Sequence, residues 1–319
     1  MGKRLILLIC LSGLIFLAGI FVGHFKPLVF QIPYSFFKEV ASNDPDNLYK
    51  DSVDRLNNRF RPGSCKTDNE GYSFFIAGHT YGTPGLKYEG LYGPFKSNKR
   101  LKDCAFLPLG FLLGDTVVEA SHHEFGVLKK DIESFRDNTK VYIATGNHEV
   151  GTGPYNAKRD IYIENFGAET YKYIEYKNDL FVILDTNINN WNLNNDQISM
   201  LKNLESNEGK YKNIFIFSHQ IFWIEDGNPK FSGLIPNSQE GRAKELNFWK
   251  DVFPIAKEIG DNLFFFAGDV GAFNNKSEFF YRSISGVDFF ATGMGGGQRD
   301  NFMLIHVDKK KVDIELVEF

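Results

Sequence analysis

Six side chains of the kinds that hold divalent metals or phosphate stand just after short apolar runs. They are His79 in "FFIAGHTYG", Asp115 in "LLGDT", Asn147 and His148 in "ATGNHEVG", His219 in "FSHQ" and Asp269 in "FAGDVG". Taken singly, a histidine or carboxylate at a strand end is most often a cap or a turn residue. Their ordered recurrence, each time before a glycine or a polar turn, points instead to one shared site. Such a set could bind a divalent metal or a phosphate, and a bound metal ion neutralises phosphate oxygens and depresses the pKa of a bound water.

The elements that must carry these residues are legible as apolar runs: "YSFFIAG", "FLPLGFLLGD", "VYIATGNHE", "LFVILDTN", "NIFIFSHQ", "LFFFAGD", "FFATGMGGG" and "FMLIHVD". Each has strand length and is nearly all apolar, as strands buried on both faces are. Stretches of helical length lie between them, at 122–136, 194–206 and 239–258. The alternation predicts an α/β protein with its chemistry at strand ends. With 43% hydrophobic and 15% aromatic residues the chain has material for a large core, and 36 basic against 40 acidic residues leave a net charge of -4. That mixture implies no global attraction to nucleic acid.

Lys3 and Arg4 precede an uncharged apolar run from Leu5 to Val22, long enough for a spanning helix. Without an A-x-A cleavage pattern it reads as an uncleaved signal anchor, with the N-terminus cytoplasmic. The expected organisation is a cytoplasmic tip and transmembrane anchor over 1–26, a stalk or lead-in over 27–70 and a catalytic domain over 71–319, outside the cytoplasm in the periplasm or at the cell surface. Cys10 falls inside the anchor. Cys65 and Cys104 are the remaining cysteines, and in an oxidising compartment they are expected to form a disulfide, with two separate buried thiols as the alternative.

From about residue 71 onward the order of motifs resembles the calcineurin-like metallophosphoesterase family, whose motifs run G-D-x-H-G, G-D, G-N-H-[ED], a later strand-end His, and G-H-x-H. "GNHE" is the most specific piece; "LLGD", "FSHQ" and the closing "FFATGMGGG" match in type and order. The resemblance implies a four-layer α/β sandwich, two mixed sheets flanked by helices. It also implies roles: Asp115 as bridging metal ligand, Asn147 and His219 as ligands of the second metal, and His148 as acid to the leaving group. Asp269 stands where the family has that metal's remaining histidine.

The opening motif departs from the family. In one register His79 replaces its aspartate and Tyr81 its histidine; in the other, which loses both flanking glycines, His79 falls on the histidine and Ala77 on the aspartate. Gly271 replaces the last histidine. Either way the first metal position is depleted, and Asp115, Asn147, His219 and Asp269 remain as a shell for Zn, Mn or Fe, with one ion expected and two as the alternative. His79, cationic or metal-bound, would do part of the missing ion's work, and Tyr81 is an additional candidate ligand that would favour ferric iron.

The function expected from this is a membrane-anchored, extracytoplasmic, metal-dependent phosphoesterase acting on phosphomonoesters or phosphodiesters of small molecules, glycans or lipids. The alternative is a non-catalytic envelope protein that holds an anionic ligand in the same cleft. Arg299 in "GMGGGQR" is a candidate phosphate contact. The insert "LKYEGLYGPFKSNKRLKDC", with five basic residues, is either a solvated face or an anion contact. His122-His123 reads as a solvated helix end.

Overall fold

A computed structural model describes residues 45–319 apart from 68, 70, 86–88, 136–137, 155, 168, 206–208 and 274–275. The proposed anchor lies outside the described residues, and among these no helix is long and apolar enough to cross a membrane. Two mixed sheets with helices form an α/β sandwich. The first sheet is built from β1 (Gly71–Ala77), β2 (Leu109–Leu112), β3 (Lys140–Ile143), β10 (Asn301–Asp308) and β11 (Val312–Glu318), in the order β11-β10-β1-β2-β3. The second is built from β4 (Lys172–Tyr176), β5 (Asp179–Ile183), β6 (Asn213–Ser218), β7 (Leu263–Ala267), β8 (Phe279–Ile284) and β9 (Val287–Thr292), in the order β4-β5-β6-β7-β9-β8. The neighbours β1-β2-β3 run parallel, as do β5-β6-β7-β9.

Strand alternation explains why the runs are apolar throughout. Phe74, Phe111, Phe181, Phe215, Phe217 and Phe266 fill the space between the sheets, where the rings of Phe111 and Phe217 stack at 4.1 Å between centroids. Their neighbours one residue away turn outward: Phe75 and Leu112 toward one outer layer, Leu180, Val182, Ile216 and Phe265 toward the other. With a period of two, both faces of the central strands find a core.

Helices cover those outer layers. One layer takes Phe125 and Leu128 of the helix His122–Phe135 and Tyr162 of the helix Ala157–Phe166; the other takes Leu201 and Leu204 of the helix Asn195–Glu205 and Ala256 of the helix Phe253–Ile259. The stretch 239–258 is not one helix. Gly241 is left-handed at φ 68°, and regular helix starts only at Phe253 with Pro254 in its first turn, after a π-type turn over Phe248–Val252. A helix over Pro45–Arg59 buries Leu48, Tyr49 and Leu56 against the sandwich. That helix, in the stretch the composition reads as stalk or lead-in, belongs to the same compact unit as the sheets. Cys65 and Cys104 form a disulfide, with Cα atoms 5.4 Å apart.

Candidate metal centre

Parallel strands deliver their C-terminal ends to the same edge of a sheet, and here both sheets deliver theirs to one place. His79 follows β1, Asp115 follows β2, Asn147 and His148 follow β3, His219 follows β6 and Asp269 follows β7. Two glycines let the sheets close on one another. A Cβ on Gly114 (φ 73°) would stand 2.5 Å from His219 Nδ1, and one on Gly268 would stand 1.9 Å from the Leu113 carbonyl. Both His79 and Asp115 take left-handed backbone, φ 52° and 51°. That conformation is uncommon outside glycine, and it concentrates at sites where the surroundings enforce it.

Asp115, His219 and Asp269 are buried, with ligand atoms within 4.8 Å of one another. His219 Nε2 lies 3.3 Å from Asp115 Oδ1, without hydrogen-bond alignment, and 3.9 Å from Asp269 Oδ1. On the other side of the same carboxylate, His79 Nε2 lies 3.9 Å from Asp115 Oδ2. Each imidazole is fixed through its other nitrogen. His219 Nδ1 donates to the Leu113 carbonyl at 2.8 Å, and His79 Nδ1 donates to the Met294 carbonyl at 2.7 Å. Since a carbonyl only accepts, Nδ1 carries the proton in both rings, and in the neutral tautomer each Nε2 presents a lone pair to Asp115.

A lone pair facing carboxylates in a buried site needs a positive charge between them. In its absence the group must hold protons. Although burial opposes its charge, His219 is raised to about 10 by Asp115 and then Asp269. Burial pushes Asp269 up to about 8, against the pull of His219. Burial would likewise raise Asp115, but His219, His148 and His79 hold it below the usual carboxylate range. Among the described residues neither oxygen of Asp269 has a well-aligned hydrogen bond, although the backbone of Ser238 is set against the carboxylate and opposes its rise. An orphaned buried carboxylate is expensive, and it is the arrangement a cation would relieve. Ligands about 2.0–2.2 Å from a shared ion lie roughly 3–4 Å apart, so the separations fit a transition metal, and a histidine anchored through its second nitrogen is how metal-binding imidazoles are oriented.

His79 behaves otherwise than a cation would. Burial lowers it to about 4 despite Asp115, so at neutral pH it is an uncharged ring. That removes its cationic role and leaves its Nε2 as a possible ligand. Tyr81, buried, lies between His79 and His148 with ring centroids 4.2 and 5.1 Å away. Burial, then Asp115, Glu149 and Asp269, raise its hydroxyl above the usual phenol range and keep it protonated. Asn147 starts the short helix Asn147–Val150 and is buried. His148, half-buried, donates its backbone N–H to Asp115 Oδ1 at 3.3 Å and its Nδ1–H to the Val118 carbonyl at 2.5 Å.

Arg299 is not gathered into this group. It pairs with Asp46 at 2.8 Å and Glu278 at 3.0 Å, and lies over the ring of Tyr49. In the basic insert Lys96 pairs with Asp131 and Arg100 with Glu315, while Lys87 lies outside the described residues. His122 and His123 are exposed and face Glu164 and Glu89. The residue that sequence reasoning passed over is Glu149. It is wholly buried, and it accepts hydrogen bonds from the loop that carries Asp115. A glutamate three positions after a helix-starting glycine is the reach-back half of a capping box, and that signal was there to be read. No family model matches the chain, and no curated protein sequence is detectably similar to it.

Proposed function

We propose that the protein is a metal-dependent phosphoesterase of calcineurin-like type, working with one transition metal ion (Mn, Fe or Zn) held by Asp115, His219 and Asp269, with Asn147 beside them. The observation that carries this is the orphaned carboxylate of Asp269 facing an imidazole whose lone pair is directed at Asp115. The order of the motifs along the chain supports the reaction class. When bound, such an ion supplies charge neutralisation for the phosphate and a water of lowered pKa. The chain's own residues do the rest. His148, with Nδ1 engaged by Val118, has Nε2 to give a proton to the leaving oxygen as the P–O bond to it breaks and the bond to the water oxygen forms. Asp115, His219 and Asp269, on strand ends, hold their geometry through the reaction. In this reading the chain is anchored by residues 1–26, and its substrates are phosphoesters of glycans or lipids outside the cytoplasm.

One observation favours a second reading. Tyr81 packs against the rings of His79 and His148, and His79, Asp115, His219 and Asp269 are each at most 3% exposed. A site so closed suits a binding protein that holds a cation or an anion without turnover. Assays of the purified protein, loaded with Mn, Fe(II) or Zn, on alkyl and nitrophenyl phosphomonoesters and phosphodiesters separate the two. Chelator-sensitive hydrolysis is expected; metal-loaded protein inert on every ester would transfer the proposal to the binding reading.

A further inference from the structure

Asp115 lies against His219, His79 and the backbone of His148, yet its own backbone stands in a conformation that aspartate seldom adopts, φ 51°. Something must hold it there. Glu149 Oε2 accepts the backbone N–H of Asp115 at 2.9 Å and of Gly146 at 2.8 Å, while Oε1 accepts the N–H groups of Thr116 at 2.6 Å and Val117 at 3.1 Å and the Thr116 hydroxyl at 3.1 Å. One buried carboxylate thus ties the turn after β2 to the turn after β3. The fit is close. A Cβ on Gly146 would stand 2.4 Å from Asp115 Oδ1 and 3.0 Å from Glu149 Oε2.

We infer that Glu149 is the positioning residue of the centre: it fixes the left-handed turn at Asp115 and thereby aims both carboxylate oxygens, Oδ1 toward His219 and Oδ2 toward His79. The inference rests on the metal reading above. Its chemistry is specific to a carboxylate. Four backbone donors converge on two oxygens, two on each, and an amide has only one acceptor atom, so a glutamine leaves two N–H groups facing an NH₂ whichever way it is placed.

Cobalt(II) is the probe, because its visible bands report the geometry of its ligands. The wild-type chain is expected to take up Co²⁺ with a defined spectrum. Glu149→Gln should change that spectrum and weaken Co²⁺ binding by about 10- to 100-fold, the usual effect of losing a group that orients a ligand. Leu201→Ala, in the outer layer far from the centre, controls for destabilisation and should leave spectrum and affinity as they are. Should Glu149→Gln fail to fold, Glu149→Asp, which keeps the charge but is one methylene shorter, is read in the same way. A Glu149 variant that loses stability while keeping the wild-type spectrum and affinity would overturn the inference. A wild-type chain that binds no Co²⁺ would overturn the metal reading itself, and this inference with it.

Discussion

At the scale of single residues, the division of labour follows from which nitrogen of each histidine is tied to the backbone. His219 and His79 are pinned through Nδ1 with Nε2 turned to Asp115, whereas His148 touches Asp115 only through its backbone N–H. In the proposed reading His219 holds the ion, His79 stands on the other side of Asp115, and His148 moves a proton. His148→Asn is therefore expected to keep the metal and lose turnover. General acid catalysis contributes about 10²- to 10⁴-fold, with the larger loss on alkyl esters, because a nitrophenolate leaves without needing a proton. Rates for both ester classes, compared at equal metal occupancy, check this; equal losses would remove His148 from the acid role. Glycine matters as much as any charged group here, because Gly114 leaves the space that the His219 ring occupies.

At the scale of elements, the centre is made by parallel strand ends from two sheets meeting over that glycine. Gly114→Ala should push the added methyl into His219 and strain a φ of 73°, which costs on the order of 1–3 kcal/mol. Thermal unfolding should show the lower stability and metal titration the lost affinity; normal binding would mean that the two turns have slack. Eight strands were legible because each reads as a continuous apolar run; all but β3, itself an edge strand with Lys140 exposed, are buried along nearly their whole length. The three that were not, β4, β8 and β11, are edge strands. β4, for instance, alternates half-buried and exposed residues in "KYIEY", and β11 mixes acids with valines in "VDIELVE", so neither gives that signal. The strand-end ligands were legible for the same reason as the long runs. Glu149 was named by GNHE and by its capping-box spacing, but its tie to the backbone N–H groups of a turn 32 to 34 residues away was not legible, since such a pairing leaves no trace in side-chain pattern. Nor was the pairing of Arg299 with Asp46, which depends on a helix the composition assigned to the lead-in.

For the molecule as a whole, a second polar cluster ties the stretch around the disulfide to the last two strands. Arg100 grips Glu315 through two nitrogens at 2.9 and 2.7 Å, lies against the sulfurs of the Cys65–Cys104 disulfide and donates to the Gly63 carbonyl, while buried His306 bridges Ser73 and Glu315. Burial alone would raise the Glu315 carboxyl, but His306 and Arg100 hold it down at about 2, against an ordinary value of 4.5. A carboxyl depressed on folding stabilises the native state above its unfolded pKa and loses that contribution as pH falls through its folded one. The stabilisation should therefore fade between pH about 4.5 and about 2, and acid unfolding of Glu315→Gln, compared with wild type, should show a difference at neutral pH that vanishes at the acid end of that window. A difference that persists there would assign the effect to packing instead of charge.

The central claim is that Asp115, His219 and Asp269 hold a metal ion. The most direct test is the metal content of the purified full chain, and of its Asp115→Ala and His219→Ala variants, after equilibration with Mn, Fe(II) and Zn and removal of free ions. About one ion per wild-type chain is expected, with little or none in either variant, since each loses a ligand from a small set. A wild-type chain that emerges empty, or variants that retain the wild-type content, would contradict the account.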